Sequence, residues 1–219
     1  MTIDTIPLFP LHTVLFPGMP IHLQVFEDRY LEMIQTCIDQ DLPFGVVLIK
    51  TGMEALGPLP VPHEMGCLTS IQRLQPLDDG RLSLVGQGIE RIEIINVLRE
   101  EPYLQAEIRE RPLGGGEDPA ARRLARLVQP LLARYLVELA ALKDRKIDPP
   151  DLPSHPLRLA YLTCSLLQIP SDEKQLLLGE ENATGLLQGL RQTLRQEIPL
   201  LRMIRHRRQP EMMGSFGLN

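Results

Sequence analysis

The first thirty residues constrain the fold more than any other stretch. Ile6-Pro7-Leu8-Phe9-Pro10-Leu11 is followed by Val14-Leu15-Phe16-Pro17-Gly18 and then by Val25-Phe26-Glu27-Asp28-Arg29-Tyr30. Each proline fixes φ and removes a backbone donor, so no helix can run through this segment. Its apolar side chains nonetheless demand burial. The spacing predicts an extended, partly irregular strand at a sheet edge, a turn at Pro17-Gly18 and a regular strand from Ile21 to Val25. Ile21, Leu23 and Val25 alternate with His22 and Gln24, as a half-buried strand requires.

Residues 1–113 read mainly as strands. The exception is Asp28 to about Gln40, a helix with Leu31, Ile34 and Ile38 on one face, widened by Tyr30, Met33 and Cys37. Glu27 and Asp28 stand at its start, where carboxylates complement the helix dipole. Phe26 and Tyr30 are expected to anchor it to the strands. Phe44 to Ile49 is a continuous apolar run, as in a strand covered on both faces. Asp78-Asp79-Gly80 predicts a hairpin turn between strands near Leu68–Leu74 and Arg81–Val85. Ile92 and Ile94 alternate with Arg91 and Glu93, and Leu104, Ala106 and Ile108 with Gln105, Glu107 and Arg109. The pattern is that of a small, mostly antiparallel, barrel-like β lobe with one helix.

Gly114-Gly115-Gly116 marks a linker over 114–117. Asp118 can cap a helix with Pro119 in its first turn. Leucines then recur at three- and four-residue steps to about Lys143, across Pro130, which should bend the helix. Further helices are predicted over Ser154–Gln168, from Pro170, and over Thr184–Arg207 with a break at Pro199. Residues 118–209 thus form a helical bundle lobe, with 210–219 a flexible tail. The fold class is α+β.

With 43% hydrophobic and 23% charged residues in 219, global disorder is excluded. A net charge of −5, no Trp and only 4% aromatics speak against a dedicated nucleic-acid binder. Cys37, Cys67 and Cys164 are odd in number and far apart, and read as small buried hydrophobes in a reducing cytoplasm. No signal peptide is visible, and no run reaches the ~18 apolar residues of a membrane span.

The opening segment resembles the N-terminal domain of the Lon protease family, in its stand-alone, Lon-like variant, which Phe26, Arg29 and Tyr30 fit best. The resemblance extends through Pro43–Lys50, Gly66-Cys67-Leu68-Thr69-Ser70-Ile71 and Val85-Gly86-Gln87-Gly88-Ile89-Glu90-Arg91-Ile92. It continues in Ile169-Pro170-Ser171-Asp172-Glu173-Lys174-Gln175-Leu176-Leu177-Leu178, similar to the family's Glu-Lys-Gln signature. It implies a PUA-like β lobe followed by a helical bundle. It also implies a role in capturing protein substrates for an ATPase and a peptidase that lie further along in complete Lon proteases, beyond where this chain stops.

Neither engine is legible here. A P-loop needs a lysine directly after glycine, and Lys50, Lys143, Lys146 and Lys174 follow Ile49, Leu142, Arg145 and Glu173. Ser70, Ser83, Ser154, Ser165, Ser171 and Ser215 sit in no G-x-S-x-G elbow. No catalytic residue is therefore assigned. His63 and Cys67 would share a helix face as metal ligands, but Gly57-Pro58-Leu59-Pro60-Val61-Pro62 argues against a helix. No second pair completes a tetrahedral set, so no metal or other cofactor is expected. Gly86-Gln87-Gly88 lacks a third glycine and a following helix, and reads as close strand packing. Leu176-Leu177-Leu178 and Leu186-Leu187 read as bundle core.

Glu27, Asp28 and Arg29 are the candidate partner contact, against the plainer role of a charged first helical turn. Arg205-His206-Arg207-Arg208, the densest basic cluster, suits a helix C-terminus. The leading expectation is a non-enzymatic, cytoplasmic module that binds a polypeptide, either unfolded segments or a protease or chaperone partner. The alternative is RNA binding through the PUA-like lobe and the basic C-terminal helix. A hydrolase or small-ligand pocket is a third reading.

Overall fold

A computed structural model of the chain describes residues 3–53, 60–78, 80–99 and 102–208. Asp79 of the expected hairpin turn, Gly57–Leu59 and the expected tail at 210–219 lie outside the described residues. The described chain runs β1 (Ile3–Leu11), β2 (Pro20–Val25), α1 (Asp28–Asp39), β3 (Phe44–Thr51), β4 (Val61–Pro76), β5 (Leu82–Arg99), β6 (Gln105–Glu110), α2 (Pro119–Ala141), α3 (Pro156–Leu166), α4 (Ser171–Leu178) and α5 (Ala183–Arg208). It divides into two compact units, Met1–Leu113 with Cys164–Glu180, and Gly114–Thr163 with Glu181–Asn219.

In the first unit the strand order is β2-β5-β4-β3-β1-β6, and a further β5–β6 pairing closes β5, β4, β3, β1 and β6 into a ring. The length of β5 makes this possible. Its first part, Leu82–Gln87, pairs with β2, and its second part, from Ile92 onward, pairs with β6. Among the described strand pairings only β1 with β3 is parallel; the others are antiparallel.

The opening strand is not at a sheet edge, as its prolines led us to expect. Strand β1 lies between β6 and β3, but it changes partner midway. Ile3–Pro7 is in register with β6 and Leu8–Leu11 with β3. The Leu8 N–H donates to the Leu104 carbonyl at 2.8 Å. Backbone groups alternate along a strand, so the nitrogens of Pro7 and Pro10 face flanks where β3 has not yet begun to pair and β6 has already stopped. Both prolines fall where no donor is needed.

Two apolar cores follow from the period-2 alternation. Ile6 and Leu8 of β1 join Val47, Leu68, Ile92, Ala106 and Ile108. Phe9 and Leu11 join Phe44, Val46, Cys67 and Leu84 together with Tyr30, Met33, Ile34 and Cys37 of α1. The apolar run of β3 therefore serves both cores. The buried face of α1 is centred on Tyr30, Met33, Ile34 and Cys37, whereas Ile38, expected inside, is 43% exposed. On β5 the Gly86 and Gly88 positions are closely packed. A Cβ at Gly88 would lie 2.5 Å from the Phe16 carbonyl oxygen.

Segment 164–180, expected within the helical lobe, belongs to the β-rich unit. Three polar side chains account for this. Ser171 Oγ donates to the His12 carbonyl and Gln175 Nε2 to the Met65 carbonyl, each at 2.9 Å. Arg91, only 3% exposed, donates from Nη1 to the carbonyls of Leu178 (2.7 Å) and Glu180 (2.6 Å) and from Nε to that of Arg111 (3.0 Å). The end of α4 carries carbonyls without helical partners and the negative end of the helix dipole, so a buried guanidinium satisfies it in charge and in geometry. Leu177 and Leu178 are buried there, but Leu176, read as core, is 75% exposed.

In the second unit α2 packs along α5. Asp118 occupies the N-cap of α2 without a side-chain capping bond, and Pro119 starts the helix. Helix α5 runs through Pro199 without the expected break. Leu194, Ile198 and Leu201 are buried on both sides of the proline, and that packing outweighs one missing backbone bond. The glycine run is not a free tether. Gly114 bridges Asn182, its carbonyl accepts the Ala183 N–H at 2.9 Å, and Gly116 is buried against Leu157.

All three cysteines are unpaired and buried. Burial pushes the Cys37 thiol up to about 11 and, with help from the nearby Glu90 charge, that of Cys67 up to about 12. Because the thiolate is the reactive form, native protein at neutral pH should be labelled by a thiol reagent far more slowly than denatured protein. Stoichiometric labelling within the mixing time before unfolding would contradict this burial.

Candidate functional site

The predicted contact residues stand at the junction of β2 and α1. Glu27 is the N-cap of α1, with extended backbone at φ −81° and ψ 134°. Its Oε2 pairs with Arg29 Nη2 at 2.7 Å, and both side chains keep only 16% of their surface exposed. The Arg29 guanidinium lies 4.8 Å from the centre of the Tyr30 ring, a cation–π contact. Asp28 is exposed at the first turn. Glu27 and Arg29 are thus drawn together into a local brace, more buried than a freely solvated helix end.

The two aromatics of this segment part company. Tyr30 is 2% exposed and stacks on Phe9 at 4.4 Å between centroids. Phe26, expected as a second anchor, is 52% exposed. The reason is local. Val25 ends β2 inward and the helix starts at Asp28, so Phe26 falls on the turn between them, facing out.

Beside Phe26 opens a cleft of about 250 Å³ lined by Phe9, Leu11, His22, Leu23, Gln24, Val25, Phe26, Glu27 and Tyr30. Its walls are aliphatic and aromatic, and its polar members are His22, Gln24 and Glu27. Its lining includes no Ser, Thr, Cys or Lys. A second depression of about 500 Å³ is lined by Ile38, Leu42, Ile71, Leu74 and Ile89 among others. Sequence reading missed the first cleft because its walls come from β1, β2 and α1 together.

The remaining candidates separate. His63 and Cys67 both lie on β4, where four residues span roughly 13 Å, too far for one ion. Among the described residues no group of three His, Cys, Asp or Glu is placed to hold a metal. Two arginines of the C-terminal helix, Arg202 and Arg205, pair with Glu138 of α2 at 2.7 and 2.8 Å. Glu138 is 6% exposed, so part of the basic cluster serves the packing of two helices. No described helix is long and apolar enough to cross a membrane.

Comparison with known proteins decides the family. The model of the ATP-dependent protease La (LON) substrate-binding domain matches residues 5–196. The chain belongs to the LON substrate-binding domain family. Lon protease 1 of Herpetosiphon aurantiacus is 26% identical over 91% of this chain, and Lon protease of Syntrophus aciditrophicus is 32% identical over 48% of it. The chain spans only 25% and 14% of those two proteins. Among solved structures, the Lon N-terminal domain protein from Xanthomonas campestris is 27% identical, with a TM-score of 0.62 over 86% of this chain and 97% of its own. The N-terminal domain of Mycobacterium avium complex Lon protease, at 18% identity and a TM-score of 0.65 over 85% of this chain and 96% of its own, shares the fold. What the LON match covers is the substrate-binding domain and not the peptidase.

Proposed function

We propose that this LON substrate-binding domain is a non-enzymatic module that holds exposed apolar segments of polypeptides, with the cleft beside Phe26 as its contact and the Glu27–Arg29 brace as its rim. The observation that carries the reading is a half-exposed phenylalanine beside an apolar cleft in a chain matched along most of its length by a substrate-binding family. The barrel is read as PUA-like and the second unit as a helical bundle. Three reduced cysteines are in keeping with a cytoplasmic setting.

The energetics are modest. Micromolar capture needs about −8 kcal/mol. At roughly 25 cal/mol per Å² of apolar surface, this corresponds to some 300 Å² before the cost of ordering the bound segment. Reversible hand-over to a separate protease or chaperone suits this strength.

Fluorescence anisotropy of a labelled, permanently unfolded casein against the 219-residue chain tests the reading. Saturable binding that holds or strengthens between 50 and ~500 mM salt is expected. Binding that falls steeply with salt, together with comparable binding of a single-stranded RNA of mixed sequence, would replace polypeptide capture by phosphate recognition.

A further inference from the structure

Strand β2 is the end of the sheet order, and among the described residues it pairs with β5 alone. The Met19 carbonyl accepts the Gly88 N–H at 2.8 Å. Carrying that alternation along β2, Ile21, Leu23 and Val25 turn their backbone groups to β5. The N–H and C=O of His22 and Gln24 are left on the outer edge. Both residues are exposed, and both line the cleft that Leu23, Val25 and Phe26 share.

We propose that an extended polypeptide strand adds to this outer edge of β2, exchanging backbone hydrogen bonds with His22 and Gln24 and placing one apolar side chain in the cleft beside Phe26. The inference rests on the polypeptide-binding reading above and names its mode. An unpaired strand edge specifies an extended backbone and nothing else, because only another strand repeats donors and acceptors at its spacing. The adjoining volume of about 250 Å³ suits a single side chain and not a packed helix. Charge points the same way. Glu27, the one carboxylate lining the cleft, is neutralised by Arg29 at 2.7 Å. The rim therefore carries no net charge, which complements an uncharged apolar segment rather than an acidic or polyphosphate one. Main-chain bonds would supply strength without regard to sequence and the cleft a preference for apolar side chains, as a module meeting many segments requires.

The test uses a labelled twelve-residue peptide of alternating valine and threonine with glycine ends, and the full chain. Two derivatives carry N-methyl groups on alternate residues, one set on the valines and one on the threonines. A peptide adding to β2 presents one set of donors to His22 and Gln24 and the other to solvent. One derivative should lose about tenfold or more in affinity, and the other should bind nearly as the parent does. A Gln24→Pro chain, which loses one outward donor, should weaken the parent peptide to a similar extent. Proline is tolerated at such edge positions. If Gln24→Pro fails to fold, the two derivatives decide alone.

Equal binding of both derivatives would overturn strand addition while leaving polypeptide capture intact. Failure of the parent peptide and of unfolded casein alike would overturn both. A dimer seen by sedimentation without peptide and abolished by Gln24→Pro would assign the edge to a second copy of the chain and overturn the proposal.

Discussion

Replacing Arg91 by leucine should lower the stability of the chain by about 3–5 kcal/mol, because it strips the donors from three backbone carbonyls at once. Leucine would leave the carbonyls of Leu178, Glu180 and Arg111 without the donors they now have. An orphaned buried carbonyl costs roughly 1–3 kcal/mol, less where water can reach it. Arg91→Lys should recover only part of the loss, since one ammonium cannot span carbonyls on both sides of the fork. Urea unfolding of the three proteins measures this. A loss under about 1 kcal/mol for Arg91→Leu would mean that segment 164–180 is held by its leucines alone.

The second large effect separates Tyr30 from its neighbours. Tyr30→Ala removes a ring that is 2% exposed and stacked on Phe9, and should cost about 3–5 kcal/mol. Tyr30→Phe keeps the stack and should cost much less. Phe26→Ala should leave stability within roughly half a kcal/mol, because the side chain is already half in water. Thermal melts of the three variants check the order. Equal losses at positions 26 and 30 would place Phe26 in the core.

Short-range pattern carried the strands and helices well. The alternation in Ile21–Val25 and the uniform apolar run at Phe44–Ile49 each report burial through their own period. The leucine spacing of α2 marks the helix but not its inner face, which is Ala121, Ala125, Val128, Leu132, Tyr135 and Glu138, with Leu127 48% exposed. What the pattern could not carry depends on contacts between distant segments. Arg91 alternates with Ile92 as a solvent-facing residue would, yet α4 covers its face of β5. Glu138 reads as one more polar residue on a helix, and only the arrival of Arg202 and Arg205, more than sixty residues later in the chain, makes it a paired buried charge. The Pro7 and Pro10 rule for edge strands failed because β1 changes partners between them.

Charge beside a helix start singles out Glu27, Asp28 and Arg29 as a candidate contact, and the structure sets them at the junction of β2 and α1. The same pattern puts Phe26 in the core, where it is not. A turn of two residues between β2 and α1 sets which aromatic faces inward, and composition does not encode that phase.

The most direct measurement compares unfolded-casein binding by the parent chain and by Phe26→Asp, with both melts recorded. The melting temperature should be unchanged, since position 26 is open to water, and affinity should fall tenfold or more, because a carboxylate at the mouth must be desolvated by any apolar occupant. Parent-like affinity in a folded Phe26→Asp protein would contradict the claim that this cleft holds polypeptide.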